Sequence, residues 1–216
     1  LVEDELDRVA KLVVHPDLVV EVGSGGPARV PDEGDDVSTA DALAERRRSA
    51  EQIVQFDLPG YAIGGLSVGE PKQVLHEMTA LAAPLLPADR PRYLMGVGYP
   101  DDIVTAVLAG VDMFDCVLPT RMARTGTVLT RDGRLVVKNQ EFAEDEAPLD
   151  AECGCPVCAR HSRAYLRHLF QSREILGPVL ATVHNLHFYL NLLARARAAL
   201  EAGTFAALRT EVARRY

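Results

Sequence analysis

Hydrophobic positions recur along this chain with two different periods, and each change of period marks an element. In residues 39–54, Leu43, Ala50, Ile53 and Val54 fall at helical spacing with Arg46, Arg47 and Arg48 between them, which predicts a helix leading towards Gly60. Residues 61–66 predict a short strand. Pro71 then stands at a helix start, with Val74, Met78, Leu81 and Leu85 at helical spacing behind it. The unit repeats as a strand over 92–97, a helix opened by Pro100, Asp101 and Asp102 and running through Leu108, and a strand over 113–118. Its two acids sit at the positive end of the helix dipole. Strand and helix alternating in this way imply parallel strands joined by right-handed crossovers, an α/β class.

After residue 118 the rhythm changes. Residues 127–130 and 135–138, split by Asp132-Gly133, predict a hairpin. Residues 154–173 lead into a helix bearing Tyr165, Leu166, Leu169 and Phe170, which Gly177-Pro178 should break. A last long helix carries Leu186, Leu190, Leu193 and Leu200, with Gly203 placed to end it. At the start of the chain, residues 1–14 have a weak helical period, 18–22 read as a short strand, and 23–36 are rich in Gly, Pro and acids, as loops are. No motif stands out in that opening, so residues 1–48 are read as an atypical or loosely ordered segment.

Charge adds an asymmetry to this picture. The net charge of −8 combines ten acids against Arg8, Lys11 and Arg29 in residues 1–36 with nine arginines against Glu174, Glu201 and Glu211 from Cys153 onward. The basic end is where a polyanion should dock, unless the arginines only solvate helix faces. No window has the ~18 uninterrupted apolar residues of a membrane span, and no signal-peptide pattern is present. The expectation is a cytoplasmic protein with no membrane partner.

Two clusters carry candidate chemistry. The first is residues 112–121, an apolar run containing Asp115, then Pro119, then Arg121 with Arg124 beyond. A lone aspartate more often caps a helix or faces solvent. An acid delivered by an apolar strand, stopped by a proline and followed by arginines, instead suggests a carboxylate at a site for an anionic substrate. In a parallel sheet the functional face lies at the carboxyl ends of the strands, where Gly64, Gly65, Leu66, Met95, Gly96 and Asp115 all fall. Glycines there let a flat purine approach the backbone, whose N–H and C=O groups can read its edge, while Leu66 and Met95 can cover the ring faces. The second cluster is Cys153-Gly154-Cys155-Pro156-Val157-Cys158. Three thiols within six residues can converge on one tetrahedral ion, with a distant histidine closing the shell. A disulfide fits poorly, because Cys153 and Cys155 are too close to pair comfortably and Cys116 lies in the apolar strand. His161, His168, His184 and His187 are the rival fourth ligands.

GYAIGGLSVGE (60–70), YLMGVG (93–98), MFDCVLPTR (113–121), the cysteine cluster and the pair His184-Asn185, in this order and spacing, resemble tRNA-guanine transglycosylase of bacterial type. The resemblance runs from about Ser49 to the end of the chain. It implies the C-terminal portion of a (β/α)8 barrel with an inserted zinc-binding subdomain, divided as a partial barrel over 49–140 and a zinc subdomain with C-terminal helices over 141–216. A complete barrel of this type usually needs ~250 residues, so a chain of 216 opening on Leu1 is read as truncated at its start.

The resemblance also implies roles. Asp115 is the nucleophile that exchanges the wobble guanine of a tRNA anticodon loop for 7-aminomethyl-7-deazaguanine, through a covalent Asp-ribosyl ester, in queuosine biosynthesis. Gly64, Gly65, Leu66, Met95 and Gly96 contact the base. RNA is met by Gly96, Val97, Gly98, Tyr99, Pro100, Asp101 and Asp102, and by Thr120, Arg121, Met122, Ala123 and Arg124. One structural Zn2+ is held by Cys153, Cys155, Cys158 and His184, and a homodimer is plausible by analogy with bacterial members. The family's proton-transferring aspartate lies in its N-terminal half and matches no residue here. Two alternatives are a non-catalytic partner subunit, which would have lost the nucleophile, and a zinc-stabilised RNA-binding module, which would need only the basic end.

Overall fold

The computed structural model describes residues 20–22 and 39–216; the helix predicted over 1–14 and the loop over 23–36 lie outside the described residues. Two compact units are present. One reaches to Gly98 and takes up Thr105–Cys116, and the other comprises Tyr99–Val104 and Val117–Tyr216.

The first unit is built on a parallel sheet of four short strands in the order β1 (Val20–Val22), β2 (Tyr61–Ile63), β3 (Arg92–Leu94) and β4 (Met113–Phe114). Tyr61 pairs with Arg92, and Tyr93 with Met113, all in the parallel sense that the strand–helix alternation requires. Helix α1 (Thr39–Val54) precedes β2, α2 (Lys72–Ala82) joins β2 to β3, and α3 (Pro100–Leu108) joins β3 to β4. Tyr61, Ile63, Leu66, Met78, Ala82, Leu94, Val97 and Val111 form one buried apolar cluster, with Leu43, Ile53 and Val54 of α1 packed against it.

Strands β2 to β4 are shorter than their apolar runs suggest. Extension predicted to residues 66 and 97 stops at Ile63 and Leu94, because Gly65 (φ +66°), Ser67 (φ +61°) and Gly96 (φ +72°) adopt left-handed backbone that no strand accommodates. The run over 113–118 is corrected more deeply. Only Met113 and Phe114 are strand, both are half-buried, and a helix, α4 (Leu118–Arg124), begins where the strand was expected to end. Pro119 therefore opens a helix rather than stopping a strand, since its missing N–H would have had no partner in the first turn. Helix α2 also differs in phase. Its buried face is Leu75, Met78, Thr79 and Ala82, whereas Val74 and Leu81 are exposed. Both sets have helical spacing and share Met78, so the pattern alone did not separate them.

The second unit packs α4 and an antiparallel hairpin, β5 (Thr127–Thr130) and β6 (Gly133–Val136), with three helices, α5 (Arg163–Gln171), α6 (Leu176–Glu201) and α7 (Phe205–Arg215). The hairpin pairs Thr127 with Val136 and Thr130 with Gly133, leaving Arg131-Asp132 as the turn, so the second strand starts two residues earlier than predicted. The Thr130 hydroxyl closes that turn, donating to the Gly133 carbonyl at 2.9 Å and accepting the Asp132 N–H at 3.2 Å. Ser162 caps α5 by accepting the Tyr165 N–H.

Gly177-Pro178 does not break a helix; it lies in the first turn of α6, and the break falls upstream, where Arg173 is left-handed (φ +56°). Proline is tolerated in a first turn. Glycine at 177 allows close approach, since a Cβ there would lie 3.3 Å from the Leu169 Cβ of α5. The stripe that α6 buries is Gly177, Ala181, His184, Asn185, Tyr189, Leu192 and Ala196, rather than the predicted leucines, of which Leu200 is exposed. Two polar residues sit in the middle of that stripe. Gly203 (φ +68°) follows the end of α6 as predicted. Among the described residues no helix is long and apolar enough to cross a membrane.

Candidate active site and metal centre

Asp115 immediately follows β4, at the carboxyl end of the sheet. Its Oδ1 accepts two hydrogen bonds, from the Tyr93 hydroxyl at 2.6 Å and from the Gly96 N–H at 2.8 Å. Parallel register explains the first bond. Tyr93 pairs with Met113, so its ring lies beside the strand that delivers the acid two residues later. The left-handed turn at Gly96 explains the second, by swinging a backbone donor out of the β3 ladder. Burial, then the bond to Asp115 and the charge of that carboxylate, push the Tyr93 phenol well above its ordinary value. It is therefore a fixed donor across the neutral range.

The same hydrogen-bonded set reaches the turn after β2. The Ser67 hydroxyl donates to the Gly96 carbonyl at 3.0 Å, and the Glu70 carboxylate accepts the N–H groups of Ser67 and Val68, the latter at 2.9 Å. On the other side of this turn Arg46, only 6% exposed, donates to the carbonyls of Gly64 at 3.3 Å and Gly65 at 3.5 Å. Burial lowers the Arg46 pKa, and the charge of Glu70 acts in the opposite direction. Sequence reasoning singled out none of Tyr93, Ser67, Glu70 or Arg46. Tyr93, Ser67 and Glu70 stood inside quoted motifs. Arg46 gave no signal, because it stood with Arg47 and Arg48 between the apolar positions of one helix.

In the second unit the three cysteines and His184 converge. Their ligand atoms all lie within 4.8 Å of one another, and the group contains none of His161, His168 and His187. His184 is wholly buried; its Nε2 donates to the Leu129 carbonyl at 2.8 Å, which turns Nδ1 towards the thiols. Nδ1 lies 3.8, 3.5 and 3.3 Å from the Sγ atoms of Cys153, Cys155 and Cys158. A zinc ion with Zn–S of about 2.3 Å and Zn–N of about 2.0–2.1 Å at tetrahedral angles gives an S···N edge of about 3.5 Å. The donor set and its spacing fit zinc, and four protein ligands leave no open position, so the ion is structural. Hydrogen bonds from Cys153 and Cys158 hold Cys155 far below the ordinary thiol range, in the thiolate form that a metal takes. All four cysteines are free of disulfides.

The family model described as queuine tRNA-ribosyltransferase matches residues 39–216. The chain belongs to this family.

Among queuine tRNA-ribosyltransferases the chain is 56% identical over 171 residues to that of Pelotomaculum thermopropionicum, covering 79% of this chain and 46% of that protein. It is 59% identical over 164 residues to that of Symbiobacterium thermophilum, covering 76% and 41%. With that of Lysinibacillus sphaericus it shares 52% identity over 171 residues, covering 79% and 45%. The chain thus spans less than half the length of these curated relatives. Membership bears out the resemblance carried by GYAIGGLSVGE, MFDCVLPTR and the cysteine cluster.

The residues predicted to meet ligands differ in exposure. In the turns after β2 and β3, Gly64 is buried, Gly65 and Met95 are half-buried, Gly96 is exposed, and Leu66 belongs to the apolar cluster. In residues 96–102, Gly96 and Tyr99 are exposed, Asp101 is half-buried, and Val97, Gly98, Pro100 and Asp102 are buried. On α4, Thr120, Arg121 and Arg124 are exposed, Met122 is half-buried and Ala123 is wholly buried. Arg121 and Arg124 stand in the last turn, where a helix favours cations.

Proposed function

We propose that this chain carries the nucleophile and part of the base site of a tRNA-guanine transglycosylase, a pentosyltransferase that replaces the wobble guanine in a tRNA anticodon loop by a 7-deazaguanine such as 7-aminomethyl-7-deazaguanine. The observation that carries the reading is the Asp115 carboxylate, with both donors, Tyr93 and Gly96, on Oδ1. Hydrogen bonds on one oxygen leave Oδ2 as the attacking atom. Asp115 Oδ2 forms a bond to the ribose C1′ as the C1′–N9 bond breaks, and guanine leaves with a proton from a general acid. The incoming base loses a proton as its N9 attacks C1′, and the carboxylate is released. The fixed donors hold the attacking group in one rotamer, which orients it towards the anomeric carbon.

Gly64, Gly65, Leu66, Met95 and Gly96 are the base contacts in this reading. Gly96, Tyr99, Thr120, Arg121 and Arg124 are the residues of the predicted RNA segments whose exposure suits contact, with the guanidinium forks on phosphates or base edges. Val97, Gly98, Pro100, Asp101, Asp102, Met122 and Ala123 shape those segments from within. Reading a stacked guanine requires flipping it out. Strands β2 to β4 form part of a (β/α)8 barrel within residues 49–140, residues 141–216 form a zinc subdomain, and the protein works in the cytoplasm as a homodimer.

A labelled-guanine exchange assay with cognate tRNA, run with a denaturing gel for covalent protein–RNA adduct, tests the reading. Exchange and an adduct that both vanish in Asp115→Asn are the expected result. Binding of tRNA with no adduct in any condition would leave a non-catalytic subunit or an RNA-binding module instead.

A further inference from the structure

Arg46 is the buried member of an arginine triplet whose other two residues, Arg47 and Arg48, are exposed. Placing a guanidinium in an apolar environment is costly unless its donors are used. Two of them reach successive carbonyls, those of Gly64 and Gly65, in the turn after β2. In a trans peptide the C=O and the N–H point in opposite directions. The Gly64 carbonyl shares its peptide with the Gly65 N–H, and the Gly65 carbonyl shares its peptide with the Leu66 N–H. Two carbonyls drawn to one side therefore turn two successive N–H groups to the other. Such a pair of adjacent donors forms a small concavity for an electron-rich oxygen. Gly65 has the left-handed backbone (φ +66°) that such concavities use, and glycine adopts it without strain.

We propose that Arg46 is a positioning residue for base recognition: by holding the carbonyls of Gly64 and Gly65, it aims the N–H groups of Gly65 and Leu66 away from helix α1 as donors for a purine carbonyl oxygen. The proposal rests on the base-site reading above and adds the residue that sets its polarity. The arrangement favours guanine-like bases, which carry an oxygen at the six-position, over adenine, which carries an amino group there. Arg46 touches neither base nor ribose in this role. Lysine cannot replace it fully, because a point cation does not fork to two carbonyls.

The test measures binding of guanine and adenine by calorimetry to the unmodified chain and to Arg46→Met, Arg46→Lys and Arg47→Met. Arg46→Met should weaken guanine binding about tenfold, the loss of roughly one oriented hydrogen bond, while adenine is little affected, so that the guanine-to-adenine preference collapses. Arg46→Lys should fall between, and Arg47→Met should match the unmodified chain. A decrease of the same factor for both bases would mean only a damaged turn and would overturn the proposal, as would unchanged guanine affinity. Should Arg46→Met fail to fold, the lysine variant decides, and a wild-type preference there overturns the proposal. Failure of the unmodified chain to bind guanine at all would instead remove the base-site reading, and this proposal with it.

Discussion

The side-chain amide of Asn185 donates to the Pro119 carbonyl at 3.0 Å and so ties α6 to the start of α4, 66 residues earlier. The same NH2 group donates to the Thr127 carbonyl at 3.3 Å, and Asn185 Oδ1 accepts the Leu129 N–H at 3.0 Å. The preceding residue, His184, donates to the Leu129 carbonyl and turns its other nitrogen to the cysteines. Two successive residues of one helix therefore join the metal group, strand β5 and the helix that bears Arg121 and Arg124.

Replacing Asn185 by Ala should destabilise the second unit by about 3 kcal/mol, because buried backbone groups of Pro119, Thr127 and Leu129 lose their partner together. Denaturant unfolding followed by far-ultraviolet dichroism measures this. A change within about 0.5 kcal/mol, the range of an ordinary surface substitution, would contradict the bridging role.

Metal content is the second check. Purified protein should carry one zinc per chain, and Cys158→Ser should release it and abolish the cooperative melting of the second unit, since binding free energy at such sites is folding free energy. Elemental analysis alongside a thermal melt decides the matter. Equal metal in variant and parent would refute the site.

Tyr93→Phe removes one hydroxyl from Asp115 and leaves the ring in place. Guanine exchange should slow about tenfold through kcat, with KM for tRNA unchanged, if the bond orients the nucleophile. Loss that appears wholly in KM would assign Tyr93 to binding instead.

Legibility in the sequence followed physical type. Alternation of strand and helix was readable because a parallel sheet needs it, and Cys153, Cys155 and Cys158 because three thiols so close have few other uses. The ends of the strands were not readable. They depend on left-handed turns, which Gly65 and Gly96 permit without advertising, and which Ser67 adopts against its type. Arg46 was hidden among like residues, and the buried stripe of α6 was obscured because its central members, His184 and Asn185, are polar. Burial of those two is stabilised by partners 26 to 66 residues away, which no local pattern encodes.

Acid should expose the ion pair of Asp145 with Arg163, which meet at 3.0 Å. The Ala147 N–H, then Arg163, hold the Asp145 carboxyl below its ordinary value. The folded state thus favours the ionised form, so the contribution is full above the unfolded value of about 3.9 and fades as pH falls through the lower folded value. Melting temperatures of the parent and of Asp145→Asn should differ at neutral pH and converge as the pH falls below the ordinary carboxylate value and through the lower folded one. Parallel curves throughout that range would show that the pair contributes no pH-dependent stability.

The reach of the Asn185 and His184 bonds also sets an order of events during synthesis. At the ~5–20 residues per second of translation, the 56 residues between Leu129 and Asn185 take about three to eleven seconds to emerge. For that interval α4 and the hairpin exist without the helix that satisfies their inner carbonyls. The three cysteines appear within it, 26 to 31 residues ahead of His184. The metal group therefore closes only once His184 has emerged, and the time the half-built unit stays open is set by the synthesis of the chain between Cys158 and Asn185.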